Sequence, residues 1–210
     1  MPILLGAAIQ AETVGLLWQP KKGDQLSYVY NVVIGQGEAA TSLEAPISMT
    51  VTQVDADGYT VRSVVNDALV TVLGEQMRDK REQVVVTRFG PRGNLLKIVE
   101  GLKDPKSFEN ARVTKFIAPP MPLKVGESWS HNFPKDDAGE TAVIYKFKEI
   151  KQDQGRNLAV VDFTLNRKGE EEPYGTGSWQ VDVQTGVPEK LDAKTNADNG
   201  TVFKLRRVRG

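Results

Sequence analysis

The chain contains no cysteine. That excludes disulfides, thiolate catalysis, thiolate-ligated zinc and a lipid carried on a cysteine of this sequence. Histidine occurs once, as His131. A Ser–His–acid centre would have to be built on it, and a metal site would have to rely on carboxylates. Net charge is also lacking: Lys+Arg and Asp+Glu each number 27. No overall field draws the chain to nucleic acid or an anionic membrane, so only a local basic cluster could do so. No apolar run approaches the roughly 20 residues that a membrane-spanning helix needs. A glycine-rich phosphate loop is missing as well, since Gly90-Pro91-Arg92-Gly93 joins two strand patterns and opens no helix. What remains, 40% apolar and 26% charged residues over 210 positions, describes an ordinary globular chain of one large or two small domains.

The stretch with the most organising power is 118–129, APPMPLKVGESW. Pro119, Pro120 and Pro122 cannot continue a helix or occupy a central strand, so they force an extended, stiff connector. Val125, Gly126, Glu127 and Trp129 then restart a strand pattern, as Lys22, Gly23, Asp24 and Leu26 do upstream. The expected organisation is an N-terminal segment 1–20, a first β unit 21–117, a connector 118–126 and a second β unit 127–210. Residues 1–12 carry a short apolar run and a small residue before a polar one, as at the end of a signal peptide, though without a positive leader. A first helix over 3–18, weakened by Gly6 and Gly15, is the competing reading.

Between these landmarks the period is two. In 25–34, Leu26, Tyr28, Tyr30 and Val32 share one face. Strands are expected at 47–54 and 59–65 around the turn Asp55-Ala56-Asp57-Gly58, and at 82–89 and 95–99 around Gly90–Gly93. Residues 68–81 are ambiguous: Leu69, Val72, Leu73 and Gln76 have helical spacing, while Val70, Thr71 and Val72 favour a strand. Residues 104–115 suggest a short helix with Asp104 as cap and Pro105 at its first position. Further strands follow at 129–133, 141–150, 157–165, 177–184, 187–195 and 201–208, with a turn at 196–200. In 177–184, Trp179, Val181 and Val183 are expected inward, and Gln180, Asp182 and Gln184 outward, as are Lys146 and Lys148.

A weak internal repeat overlies this pattern. Met49, Val51 and Val54 correspond to Tyr145, Phe147 and Ile150 at an offset of 96 residues. Gly93, Lys97 and Ile98 correspond to Gly186, Lys190 and Leu191 at an offset of 93. The expected fold is mainly β: antiparallel sheets forming two related half-barrel-like units or one large curved sheet, with one or two short helices. The outward polar residues argue against a membrane barrel.

Few residues point to chemistry. Asp55-Ala56-Asp57-Gly58 begins a calcium-loop spacing but lacks the later ligands, so a hairpin turn explains it more simply. Asp136, Asp137 and Glu140 crowd a polar loop, and Glu170-Glu171-Glu172 forms a charged one. His131 follows Trp129 by two, on the same strand face, and has no nucleophile-elbow context. Neither a catalytic group, a metal ligand nor a cofactor is expected. Tyr28, Tyr30, Trp129 and Trp179 are the candidate ligand-facing aromatics. Lys204, Arg206, Arg207 and Arg209 are the candidate anion-facing residues, with a charge-protected edge strand as the alternative.

The connector followed by Val125-Gly126-Glu127-Ser128-Trp129, together with Thr185-Gly186-Val187-Pro188 near the end, resembles a loose group of secreted bacterial β-rich proteins of unknown function. A more distant likeness, in architecture alone, is to periplasmic lipoprotein carriers whose half-barrels cup a lipid chain. These resemblances imply an exported protein, periplasmic or extracellular, with the cytoplasm as the alternative, and the single histidine and missing cysteine point to a non-catalytic one. Its partner would be an apolar small molecule, a lipid or another envelope protein. The alternatives are an interaction module docking through a sheet edge and a hydrolase using two carboxylates.

Overall fold

A computed structural model describes residues 13–101, 105–135, 139–196 and 200–209. The readings of 1–12, of Asp104 as a helix cap, of Asp136 and Asp137, and of the middle of the 196–200 turn lie outside the described residues. The strands are β1 (Gln25–Ile34), β2 (Thr41–Asp55), β3 (Gly58–Val65), β4 (Ala68–Val72), β5 (Glu75–Asp79), β6 (Gln83–Phe89), β7 (Leu95–Glu100), β8 (Ser128–Asn132), β9 (Thr141–Asp153), β10 (Arg156–Arg167), β11 (Gly175–Asp182), β12 (Pro188–Thr195) and β13 (Thr201–Val208). One helix, α1 (Pro105–Thr114), precedes the connector.

All 13 strands belong to one antiparallel sheet, ordered β7-β6-β3-β2-β1-β13-β12-β11-β10-β9-β8, with the β4–β5 hairpin attached to β2. The sheet is open: its path ends at β7 and at β8. β1 to β7 form one wing and β8 to β13 the other. They join where β13, the last strand of the chain, pairs with β1 from Ser27↔Val208 to Ile34↔Thr201.

Residues 68–81 form the β4–β5 hairpin. Leu73 and Gly74 both take positive φ (52° and 83°), the geometry of a two-residue turn that follows strand twist. Their β-branched neighbours outweigh the helical spacing because β2 offers a partner: Thr41–Glu44 of β2 pairs with β4. Residues 13–18 are not helical. Val14 pairs with Leu123 of the connector, donating its N–H at 2.8 Å and accepting at 3.0 Å. Asp182 does not face outward but is 4% exposed. The β11–β12 register slips between Gln180 and Val181. The Asp182 carboxylate then accepts the N–H groups of Gln184 and Thr185, each at 3.0 Å, and so closes the turn into β12.

The two wings share local geometry at corresponding places. The N–H of Gly23 donates to the Val51 carbonyl (2.8 Å), and that of Val51 to the Asp24 carbonyl (2.9 Å). In the other wing, Gly126 donates to Phe147 (2.7 Å) and Phe147 to Glu127 (2.9 Å). The acid of each turn caps it alike: Lys21 N–H to Asp24 Oδ2 and Lys124 N–H to Glu127 Oε2, both at 2.8 Å. A bulge at Thr52 in β2 is matched by one at Lys148 in β9.

The main core lies on one face of the second wing. Alternation buries Val143, Tyr145 and Phe147 of β9, Val161 and Phe163 of β10, and Trp179 and Val181 of β11. Leu16 from the N-terminal segment, Phe116 and Ile117 just before the connector, and Ala118 and Leu123 within it cover that face. The connector is extended after α1, as its prolines require, and is tied to both wings. Arg92 in the β6–β7 turn and Ala118 exchange two hydrogen bonds: Ala118 N–H to Arg92 O (2.9 Å) and Arg92 Nε to Ala118 O (2.7 Å). On the other side, Trp129 Nε1 donates to Ile117 O at 2.9 Å.

Candidate functional site

The two wings, the connector and the N-terminal segment meet around a cavity of about 70 Å³. Its position follows from two glycine turns. Gly93, at φ +88°, lies so close to the residues just before the connector that a Cβ would stand 2.7 Å from Phe116 O. Gly186, at φ +69°, approaches the N-terminal segment so closely that a Cβ would stand 2.4 Å from the Leu17 carbonyl carbon. Each wing thus presents a turn to the segment that leads into the other wing. Only glycine combines that backbone conformation with that approach.

Tyr28, Tyr59, Val61, Phe89, Phe116 and Trp179 supply most of the apolar wall, and Trp18 and Met49 stand at its partly exposed side. The rings are mutually packed: Trp18 meets Tyr59 edge-on at 5.4 Å, and Phe116 meets Trp179 at 6.0 Å. The volume is room for a few water-sized groups. Entry of a longer chain needs the Trp18 and Met49 side to yield.

Of the four aromatics expected to face a ligand, the structure brings Tyr28 and Trp179 to the cavity. Tyr28 is fixed by its hydroxyl, which donates to Pro188 O at 2.9 Å, and burial raises its pKa. Trp129 and Tyr30 lie elsewhere. Trp129 stacks on Tyr145 at 4.9 Å beneath the connector, and Tyr30 packs against the main core.

Among the described residues, the wall carries two cations, Lys115 and Arg92, and no acid. Lys115 lies over the Phe89 ring, its Nζ 5.5 Å from the centroid. It has no acidic partner among the described residues, and desolvation lowers its pKa from 10.5 to about 8. Arg92 spends Nε on Ala118 O, while its Nη2 is buried without a hydrogen-bond partner. Burial lowers its pKa as well. Neither residue stands out in the sequence. Lys115 falls at a helix end among ordinary charged residues, and Arg92 sits in a Gly-Pro-Arg-Gly turn whose role there is simply to turn.

Because Lys115 titrates near 8 when folded and near 10.5 when unfolded, the unfolded chain binds more protons between those values. The penalty for burying its charge is therefore full below about pH 8 and disappears above about 10.5. Lys115→Met is expected to raise stability at pH 7 by about 1–2 kcal/mol, allowing for its partial exposure. It should also abolish the rise in stability through the alkaline window. Urea unfolding at pH 7 and at pH 9.5 checks both expectations.

The four basic residues of the last strand divide. Lys204 and Arg206 are exposed on the outer face. Arg207 and the following Arg209 instead hold Glu189, which is 6% exposed on β12. Arg207 Nη1 lies 2.7 Å from Glu189 Oε1, Arg209 Nη2 lies 2.5 Å from the same oxygen, and Arg156 Nη1 lies 2.8 Å from Oε2. Burial raises the Glu189 pKa, but the hydrogen bonds from Arg209, Arg156 and Arg207 outweigh it, and the net shift is downward. Period two already places Glu189 on the face of Leu191 and Ala193, which is the sign in the sequence of a buried acid.

The other polar candidates serve local structure. Asp55 accepts the Asp57 N–H at 3.0 Å and pairs with Arg88, closing its hairpin. Glu140 pairs with Lys168 at 2.7 Å, and Glu170 with Arg167 at 3.6 Å. His131 is half-buried, edge-on to Phe133 at 5.0 Å, and both burial and the nearby Arg92 charge lower its pKa. No helix among the described residues is long and apolar enough to cross a membrane.

No protein-family model and no curated protein matches the chain. Among solved structures, a "putative lipoprotein" from Parabacteroides distasonis aligns over 93% of this chain and 98% of its own, at 11% identity and a TM-score of 0.37. A likeness of that size carries no inference about this chain.

Proposed function

We propose that this is a non-catalytic binding protein that receives an apolar ligand in the cavity between its wings. The observation that carries the reading is the cavity wall: apolar and aromatic side chains drawn from both wings, the connector and the N-terminal segment converge there. Export to the periplasm or cell surface belongs to the same reading, supported by the resemblance of Val125–Gly126–Glu127–Ser128–Trp129 and Thr185–Gly186–Val187–Pro188 to secreted β-rich proteins. The matched turns and bulges support reading the wings as two copies of one unit, with the cavity at their junction.

Two features support a non-catalytic role. Among the described residues, Asp182 and Glu189 are the buried acids, and both lie against Arg156 and Arg209. Glu189, with its lowered pKa, is no proton donor near neutrality. His131 has Phe133 as its ring neighbour and does not line the cavity.

The test is titration of intrinsic fluorescence with 1-octanol, run beside an esterase, peptidase and glycosidase screen. Saturable binding without turnover is expected, and His131→Ala should leave the binding unchanged. Absence of binding would overturn the reading, as would turnover lost in His131→Ala. A second reading, docking through a sheet edge, is favoured by β7: it ends the sheet and exposes Leu96 (51%) and Val99 (47%). Concentration-dependent self-association abolished by Leu96→Lys would support it.

A further inference from the structure

We infer that the cavity selects a single-chain anionic amphiphile, its apolar end against Phe89, Phe116 and Trp179 and its charged head on Lys115 and Arg92. The inference rests on the proposed binding of an apolar ligand at this cavity and adds the charge of the head group.

Three observations carry it. Among the described residues, the cavity wall contains two cations and no carboxylate, although the chain as a whole has equal numbers of each. Both cations are short of partners there: Lys115 is opposed by the Phe89 ring and no acid among the described residues, and Arg92 has a buried, unbonded Nη2. Elsewhere the buried guanidinium groups of Arg88 and Arg156 also keep one unbonded nitrogen, but an acid stands beside each. Glu189 alone engages three guanidinium groups. A partly buried cation without a counter-charge is costly, and an incoming anion removes that cost.

The geometry also sets the kind of anion. The cations sit in a wall that is otherwise apolar and small. A bulky polyanion would leave much of its charge desolvated, whereas a single head on an alkyl chain satisfies both surfaces at once. A carboxylate and a phosphate monoester share this chemistry. Arg92 offers its remaining guanidinium N–H groups, which suit either planar or tetrahedral oxygens, and Lys115 adds a point charge.

The experiment compares octanoate, octyl phosphate and 1-octanol on the full chain, with intrinsic fluorescence and calorimetry as readouts. The same titrations are run on Lys115→Met and Arg92→Met, and thermal unfolding verifies that each variant is folded. Octanoate or octyl phosphate should bind wild type at least tenfold more tightly than octanol. Lys115→Met should erase most of that preference. Stronger binding of octanoate than of octyl phosphate supports a fatty-acid-like head, and the reverse order a phosphate head. Equal binding of octanol and both anions overturns the anionic head and leaves the apolar site standing. An anion preference that survives in both Lys115→Met and Arg92→Met places the head elsewhere and overturns the assignment. If none of the three binds, the proposed binding function falls together with this inference.

Discussion

Trp179→Ala is expected to cost about 3–5 kcal/mol of unfolding free energy. Trp179 is 1% exposed in the middle of β11. It stands opposite Val161 on β10 and Leu191 on β12, so neighbours on both sides close around it. Phe116, just before the connector, lies edge-on above it at 6.0 Å. Two residues earlier on the same face, Gly177 leaves space for Phe163: a Cβ there would stand 2.7 Å from the Phe163 ring. Truncating the indole would open a void flanked by strands that cannot collapse without breaking the sheet ladder. Urea unfolding followed by far-ultraviolet circular dichroism measures the loss. A value below about 1 kcal/mol would show that the connector and sheet repack freely.

Glu189→Gln is expected to cost about 3 kcal/mol at pH 7, toward the low end for a broken buried ion pair because Arg209 is 44% exposed. The glutamine would keep the shape and lose the charge that three arginines oppose. The pH dependence has a definite sign. The Glu189 carboxyl titrates lower in the folded protein than in the unfolded chain. Its contribution is therefore present above the ordinary carboxylate range and is lost as pH falls through the lowered value. Wild-type stability should fall on acidification with a component that Glu189→Gln lacks. Parallel acid-unfolding profiles for the two proteins would refute the assignment.

Much of the fold was legible because period two speaks plainly in β9, β11 and β13, and because Asp-Gly and Pro-Arg-Gly turns mark their hairpins. The helix before the connector and the extension of the connector itself followed from where proline can stand. The β4–β5 hairpin was obscured because its two-residue turn, Leu73-Gly74, puts a leucine at positive φ, which no propensity foretells. The inward Asp182 escaped because a bulge shifts the register beside it, and the alternation rule has no means of placing bulges.

The candidate site was half legible. Tyr28 and Trp179 belong to strand faces and could be assigned inward from their neighbours. Lys115 and Arg92 could not, since their roles depend on the connector crossing from one wing to the other. The splitting of the basic tail was hidden for a similar reason. Arg207 and Arg209 are occupied by an acid on a neighbouring strand, and only the pairing of β12 with β13 brings them together.

The most direct test of the cavity as the binding site uses the three tryptophan indole N–H signals of a ¹⁵N-labelled protein. Trp18 and Trp179 line the cavity, while Trp129 is held away from it by its hydrogen bond to Ile117 O at 2.9 Å. Titration with octanoate should shift the Trp18 and Trp179 signals along one saturable curve and leave Trp129 in place. Saturable shifts confined to Trp129, or no saturable shift in any of the three, would contradict a ligand site between the wings.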